Sequence, residues 1–171
     1  MRHTFELPQL RITGVDQFGP FVWIARRALP DATVCCGDAT TMPYFADDTF
    51  SVLMSTFVGA YLNPTSARSA LREWVRVMRP GARAFVGSLN VVAPSWSPSQ
   101  QVLPASFWTP ALARSLGIAD VRLRRAHAQR RPEMRYAVYF RKPTLRERDE
   151  AAARGDEALF AIRDEREDKA D

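Results

Sequence analysis

The fold of this chain is decided by residues 63–89, which read NPTSARSALREWVRVMRPGARAFVGSL. Asn63 and Pro64 open a helix, because an asparagine side chain caps a helix and proline suits its first turn. Apolar residues then recur at steps of three and four and form one helical stripe. The stripe consists of Ala67, Ala70, Leu71, Trp74, Val75 and Met78. The Pro-Gly pair at residues 80–81 stops this helix, and residues 82–89 form the strand after it.

The segments on either side also alternate between strand and helix patterns. Strands are predicted at residues 11–16, 33–36, 49–55, 121–128 and 135–141, and helices at residues 20–29 and 106–116. The first helix has an apolar face made of Phe21, Ile24, Ala25, Ala28 and Leu29. The strand at residues 49–55 is apolar on both faces, which is typical of a parallel sheet covered by helices. The order of these elements predicts an α/β fold with right-handed crossovers.

Length and apolar content suit one compact domain without a membrane span. The chain has 171 residues, of which 46% are apolar. The longest apolar stretch, residues 50–62, is shorter than the roughly twenty residues that cross a bilayer. We therefore expect a soluble, cytoplasmic protein. Cys35 and Cys36 are neighbours on one strand and point to opposite faces, so we expect two buried core residues and neither a disulfide nor a metal site.

The net charge of +5 is unevenly distributed along the chain. Residues 144–171 carry six basic and ten acidic side chains, a balance of −4, and the other 143 residues carry +9. Much of this positive charge lies in residues 122–142. A basic patch can attract nucleic acid or anionic substrates. The alternative is a solvated arginine face on exposed strands, which we favour because no nucleic-acid motif accompanies the patch.

Three predicted strands end in residues that could bind a nucleoside. Ligands of open α/β sheets bind beyond the carboxyl ends of the strands. Asp16 ends the first strand, where a carboxylate can accept hydrogen bonds from the hydroxyls of a ribose. Gly37-Asp38-Ala39 ends the second strand, and Ser55-Thr56-Phe57 ends the third. Each acid taken alone is more often a simple helix cap or a turn former.

Several motifs in the same order resemble the class I S-adenosylmethionine-dependent methyltransferases, in particular those of methyltransferase type 11. The motifs are Thr13-Gly14-Val15-Asp16, Gly37-Asp38-Ala39, Met42-Pro43-Tyr44-Phe45, Asp48-Thr49-Phe50-Ser51-Val52, Glu73 with Arg76-Val77-Met78-Arg79-Pro80-Gly81, and Tyr139-Phe140-Arg141-Lys142-Pro143. The resemblance covers about residues 8–143. It implies a Rossmann-like three-layer sandwich whose mostly parallel sheet ends in an antiparallel hairpin.

The resemblance also implies S-adenosylmethionine as cofactor and a small molecule as methyl acceptor. Asp16 would bind the ribose, with Gln17 beside the adenine, whose amine would donate to Asp38. The Ala39 N–H would meet a ring nitrogen and Met42 would pack on the ring. Ser55 and Thr56 would lie near the methionine part, while Phe57 and Tyr61 would contact the substrate. Met42 and Phe57 are equally explained by core packing. We assign no catalytic base, since His127 fits a strand surface better.

The sequence departs from the family at its start. The family begins with a strand, a glycine-rich loop and a helix, whereas only about ten residues precede the match to its second strand. In the family that first strand lies between the second and the fourth. We therefore expect the sheet to close up, to borrow a strand or to be incomplete. We interpret the chain as a truncated domain at residues 1–143 followed by a charged tail at residues 144–171, whose weak helical pattern predicts a solvated helix or a frayed end.

Two further functions stay open besides a methyltransferase. A non-catalytic, methyltransferase-like module could complete its sheet with a partner chain or a second copy, because an open sheet edge invites strand addition. A nicotinamide-dependent oxidoreductase is less favoured, since it needs the same glycine loop and leaves residues 76–81 unexplained. Binding to nucleic acid is not expected.

Overall fold

The structure, a computed structural model, describes residues 11–90, 103–126 and 135–166. The chain divides into two compact units, Met1–Met42 and Pro43–Asp171. No helix in the described ranges is long and apolar enough to cross a membrane.

The element order confirms the predicted α/β class. The strands are β1 (Thr13–Asp16), β2 (Thr33–Cys36), β3 (Phe50–Thr56), β4 (Met78–Asn90), β5 (Ala119–Ala126), β6 (Arg135–Arg141) and β7 (Ile162–Arg166). The α-helices are α1 (Gly19–Ala28), α2 (Pro64–Val77), α3 (Pro110–Leu116) and α4 (Leu145–Arg154). Short 3-10 helices lie at Val58–Tyr61, Ala105–Phe107 and Glu157–Phe160.

The first unit is built on a parallel pair of strands. β1 pairs with β2 in a register that runs from Thr13 opposite Thr33 to Asp16 opposite Cys36. The helix α1 connects the two strands, and its Val22 is buried. The predicted apolar face of this helix is only partly covered, since Phe21, Ile24 and Leu29 are about half exposed. A two-stranded sheet covers only a narrow stripe of a helix.

The cysteines of β2 also differ from the prediction. Cys35 is half-buried and Cys36 is exposed, so neither is a fully buried core residue. The reason is the same small sheet, since residues at the end of a two-stranded ladder have few neighbours on either face.

The second unit contains a five-stranded mixed sheet in the order β3-β4-β6-β5-β7. β3 and β4 are parallel, β4, β6 and β5 are antiparallel to one another in turn, and β7 is parallel to β5. The predicted antiparallel pair of closing strands is confirmed. One face of the sheet forms the core together with α2 and α3. Its buried side chains are Ala84, Val86, Val121, Leu123, Val138 and Phe140.

The strand β3 is not buried on both faces as predicted. Val52 and Met54 are 68% and 72% exposed, while Ser55 is buried. Among the described strands β3 pairs with β4 alone, and β1 pairs with β2 alone. Each of these strands therefore has one free edge within the described residues, at the position where the resemblance implied a further strand.

The stretch that decides the fold forms the predicted helix and strand. The Asn63 side chain accepts a hydrogen bond from the Ser66 N–H at 2.9 Å and caps α2. The whole predicted stripe is buried. The helix ends at Val77, before the Pro-Gly pair, because Met78 already pairs with Phe50 as the first residue of β4.

The charged tail contains the predicted helix and also an unpredicted strand. α4 begins with a capping box between Thr144 and Glu147. Beyond it, β7 pairs with β5 from Val121 opposite Ile162 to Arg125 opposite Arg166. The tail is therefore part of the second unit, and the boundary between the compact units falls after Met42.

Candidate cofactor site

The predicted site residues are divided between the two units. Those in the first unit are Asp16, Gln17, Asp38, Ala39 and Met42, and those in the second are Ser55, Thr56, Phe57 and Tyr61. In each unit they follow the carboxyl end of a parallel strand, where ligands of α/β sheets bind.

Asp16 ends β1 and connects it to the end of β2. Its backbone carbonyl accepts a hydrogen bond from the Gly37 N–H at 3.0 Å, so the two strand ends are adjacent. Its carboxylate Oδ1 accepts from the Phe18 N–H at 2.7 Å, which fixes the turn into α1. The other carboxylate oxygen, Oδ2, receives no hydrogen bond from a described residue. Gln17 is exposed beside it.

Asp38 has the same arrangement at the end of the neighbouring strand. Its Oδ1 accepts from the Thr40 N–H at 2.8 Å, and its carbonyl accepts from the Thr41 N–H at 3.2 Å. This turn presents the exposed Asp38 carboxylate beyond the strand, again with Oδ2 without a hydrogen bond from the described part of the chain. Two acceptors thus stand side by side on adjacent strands. Each also makes the local turn that was the alternative explanation for such an acid.

Met42 is 5% exposed and Ala39 is half-buried. The burial of Met42 is explained by core packing, and its contact with an adenine ring stays a prediction.

The end of β3 carries a buried polar atom without a partner. Ser55 is 8% exposed, and its Oγ makes no hydrogen bond with the described residues. Such a group normally finds a partner, because an unpaired buried hydroxyl costs about 1–3 kcal/mol. Phe57 follows with φ = 66°, a conformation that non-glycine residues seldom adopt. Phe57 and Tyr61 are 52% and 55% exposed, so core packing does not explain them.

The motif around Arg76 has a structural role. The Arg76 guanidinium binds both carboxylate oxygens of Glu73, the Phe45 carbonyl at 2.8 Å and Asp47 at 2.7 Å. The hydrogen bonds to these carboxylates raise the pKa of Arg76 above its ordinary value. The motif therefore ties the segment before β3 to the end of α2.

Lys142 completes this arrangement, and sequence reasoning missed its role. Its side chain is 13% exposed. Its Nζ donates to Asp48 Oδ1 at 2.7 Å, to the Val75 carbonyl at 2.9 Å and to the Met78 carbonyl at 2.8 Å. The only sequence signal was its place in the closing motif. His127 lies outside the described residues.

Comparison with known proteins supports the family that the motifs resemble. The sequence profile of the methyltransferase domain family matches residues 2–86, which include β1 to β3 and most of β4. Over these residues the chain matches the methyltransferase domain family, in line with the resemblance of its motifs to class I S-adenosylmethionine-dependent methyltransferases.

Two curated relatives carry the name demethylmenaquinone methyltransferase. The protein from Paenarthrobacter aurescens is 36% identical over 74 residues, and that from Beutenbergia cavernae is 37% identical over 73 residues. Each match covers 43% of this chain and 28% of the relative. The chain thus spans little more than a quarter of the length of these methyltransferases.

Solved structures show the same fold at low identity. A methyltransferase from Methanosarcina mazei aligns with a TM-score of 0.60 at 13% identity, covering 78% of this chain and 82% of that one. The N-methyltransferase NodS from Bradyrhizobium japonicum aligns with a TM-score of 0.61 at 17% identity, covering 78% of this chain and 74% of that one. The [4+2]-cyclase SpnF aligns with a TM-score of 0.63 at 17% identity, covering 79% of this chain and 68% of that one. A cyclase among these neighbours shows that the methyltransferase fold alone does not fix the reaction.

Proposed function

We propose that this chain takes part in methyl transfer from S-adenosylmethionine to a small-molecule acceptor, and that its first unit binds the nucleoside part of the cofactor. One observation carries the proposal. Asp16 and Asp38 end adjacent parallel strands, and each keeps a carboxylate oxygen that no described residue engages. Both strand ends lie within the segment that the family profile matches.

The donor set of the first unit fits the nucleoside of this cofactor. Ribose hydroxyls and an adenine amine are hydrogen-bond donors, and Asp16 and Asp38 offer acceptors to them. Because Oδ1 of each carboxylate is held by a backbone N–H, the side chain is oriented before any ligand arrives. By the resemblance, Ser55 and Thr56 would serve the methionine part, and the unpaired Ser55 Oγ is a group that a ligand could satisfy.

The bound cofactor would supply an activated methyl group on a sulfonium centre. The protein then has to hold the acceptor in line with that group and to exclude water. The exposed rings of Phe57 and Tyr61 are our candidates for the acceptor side. Since the matched relatives are named for demethylmenaquinone, that compound is the first acceptor to test. The cytoplasmic location stays a prediction.

The two carboxylates are tested by Asp16→Asn and Asp38→Asn, with binding of labelled S-adenosylmethionine measured by equilibrium dialysis. Each substitution replaces a charged acceptor by a neutral one. A hydrogen bond to a charged group is worth about 1.5–3 kcal/mol, so we expect binding to weaken by at least about tenfold. The matched control is Asp31→Asn, an exposed acid of the same unit. Equal binding by all three variants and the parent chain would refute these roles.

A second candidate function rests on the free strand edges. Val52 and Met54 lie on one face of β3, are largely exposed and flank an edge that no described strand occupies. A non-catalytic module that adds a strand from a partner chain or a second copy would pair with this edge. Sedimentation of the purified chain as a monomer, with no partner bound, would count against this candidate.

A further inference from the structure

The face of the five-stranded sheet opposite its core is lined by arginines. They alternate along β4, β5, β6 and β7 with residues of the core face. We call this surface the arginine face, and it consists of Arg83, Arg122, Arg124, Arg141 and Arg163 around Phe85 and Tyr139. A groove of about 420 Å³ runs over it, bordered by Arg83, Arg122, Arg124, Tyr139, Arg141 and Glu165 among others.

The strand register arranges these side chains in rows across the sheet. Arg83 stands opposite Arg141. In the next row Phe85 stands opposite Tyr139, which is opposite Arg122, which is opposite Arg163. Neighbouring strands lie about 4.8 Å apart, so the positive charges extend over roughly 14 Å from β4 to β7.

Two aromatic rings occupy the centre of the arginine face. The ring centroids of Phe85 and Tyr139 are 5.0 Å apart. The Phe85 ring lies over Gly87, where an added Cβ would approach it to 2.6 Å. A side chain at this position would therefore displace the ring. Tyr139 remains 37% exposed, and the Arg124 guanidinium lies 6.0 Å from its centroid. An open ring beside a guanidinium is suited to a flat partner.

Acidic residues neutralise only part of the arginine face. Arg122 and Arg124 share Glu165, at 3.6 and 3.2 Å. Arg141 binds Asp120 and, on α4, Glu147. Arg83 and Arg163 are exposed and form no ion pair with a described residue. Exposed ion pairs contribute little and are readily exchanged, so an incoming anion can compete for Arg122 and Arg124 as well.

We propose that the arginine face binds single-stranded nucleic acid. Such strands are held by a basic groove that follows the backbone together with aromatic side chains on which bases stack. Both parts are present here. One phosphate cannot reach charges spread across four strands, whereas a chain of phosphates can. The sequence alone favoured a solvated arginine face, because it did not reveal that Phe85 and Tyr139 meet at the centre of the charges. This inference does not depend on the proposed methyl transfer.

The charge contacts are tested by fluorescence anisotropy with a labelled oligodeoxythymidylate of about ten nucleotides. Titrations at about 50 and 200 mM salt give the salt slope of the affinity. The double variant Arg83→Gln/Arg163→Gln removes the two unpaired charges. We expect binding about tenfold weaker at the lower salt and a slope shallower by about 1.4, since each single-strand phosphate contact contributes about 0.7.

The control variant is Arg146→Gln/Arg154→Gln, which removes two exposed charges from α4. We expect less than about a twofold change, because these charges lie off the arginine face. The stacking contact is tested by Tyr139→Leu, for which we expect about tenfold weaker binding, and by Tyr139→Phe, which should bind as the parent chain does.

Three outcomes would overturn the proposal. One is the absence of oligonucleotide binding at the lower salt. Another is an equal loss of affinity in Arg83→Gln/Arg163→Gln and in the control variant Arg146→Gln/Arg154→Gln, which would mean that the oligonucleotide binds by net charge alone. The third is competition by polyglutamate at the same charge concentration with no effect of Tyr139→Leu, which would identify an acidic protein segment as the occupant. If Tyr139→Leu lowers the melting temperature strongly, the arginine variants decide alone.

Discussion

At the scale of single residues, Tyr136 is the buried polar group with the clearest effect on stability. Its side chain is 1% exposed, its hydroxyl donates to the Leu103 carbonyl and it accepts from Trp108 Nε1 at 3.3 Å. Burial raises its pKa to about 12. Tyr136→Phe leaves a buried carbonyl and an indole N–H unpaired, so we expect a loss of about 2 kcal/mol in the free energy of unfolding.

Urea denaturation measures this loss, with Tyr139→Phe as control. Tyr139 is partly exposed, and its hydroxyl forms no hydrogen bond with the described residues, so removing it should change stability by less than about 0.5 kcal/mol. Equal transition midpoints for the two variants would contradict this role, because they would show that the hydrogen bonds of the Tyr136 hydroxyl do not stabilise the folded chain.

Sequence reasoning reached the single site residues unevenly. The positions of Asp16 and Asp38 at the ends of β1 and β2 could be predicted from the strand pattern, and their role in binding stays a prediction. The unpaired Oγ of Ser55 and the positive φ of Phe57 could not be found, since both depend on how the end of β3 packs. The hydrogen bonds of Lys142 join residues more than sixty positions apart, and no local pattern encodes them.

At the scale of the elements, the start of α4 depends on one carboxylate. Glu147 Oε2 accepts from the Thr144 N–H at 2.8 Å, from Thr144 Oγ1 at 2.9 Å and from Arg141 Nη1 at 2.7 Å. The hydrogen bond from Arg141, followed by those from Thr144, lowers the pKa of Glu147 to about 2. A carboxyl whose pKa is lower in the folded chain stabilises the folded state at pH values above its ordinary pKa of about 4.3. This stabilisation is lost as the pH falls toward 2.

Glu147→Gln should therefore destabilise the chain at pH 7 and much less at acidic pH. Because the side chain is 37% exposed, solvent screening reduces the effect to about 1 kcal/mol. Thermal unfolding at pH 7 and near pH 3 measures the difference, with Asp149→Asn on the same helix as control. A variant that is equally destabilised at both pH values would contradict the assigned pKa.

The helix α2 and the strand β4 could be predicted from local sequence signals, whereas the strand β7 could not. α2 and β4 follow from a complete apolar stripe and a capping asparagine, but β4 begins at Met78, before the Pro-Gly pair that was predicted to separate helix and strand. β7 reads Ile-Arg-Asp-Glu-Arg and has no apolar alternation. It pairs with β5, and Arg122 and Arg124 bind its Glu165, so its strand state comes from a tertiary contact.

At the scale of the whole molecule, the order of the strands was predictable and their burial was not. The motifs fixed β1, β2, β3 and β4 in sequence, and the family profile covers the same segment. Burial was predicted on the assumption that helices cover both faces of one continuous sheet. The described strands instead form two sheets, and β1 and β3 each pair on one side, which leaves Val52, Met54 and much of α1 exposed.

The central claim is that the first unit binds the nucleoside of the methyl donor. Calorimetric titration of the 171-residue chain with S-adenosylhomocysteine tests it most directly, because the product shares that nucleoside and needs no acceptor. The account predicts micromolar binding by the parent chain and at least about tenfold weaker binding by Asp16→Asn. No binding by a chain that circular dichroism shows to be folded would contradict it.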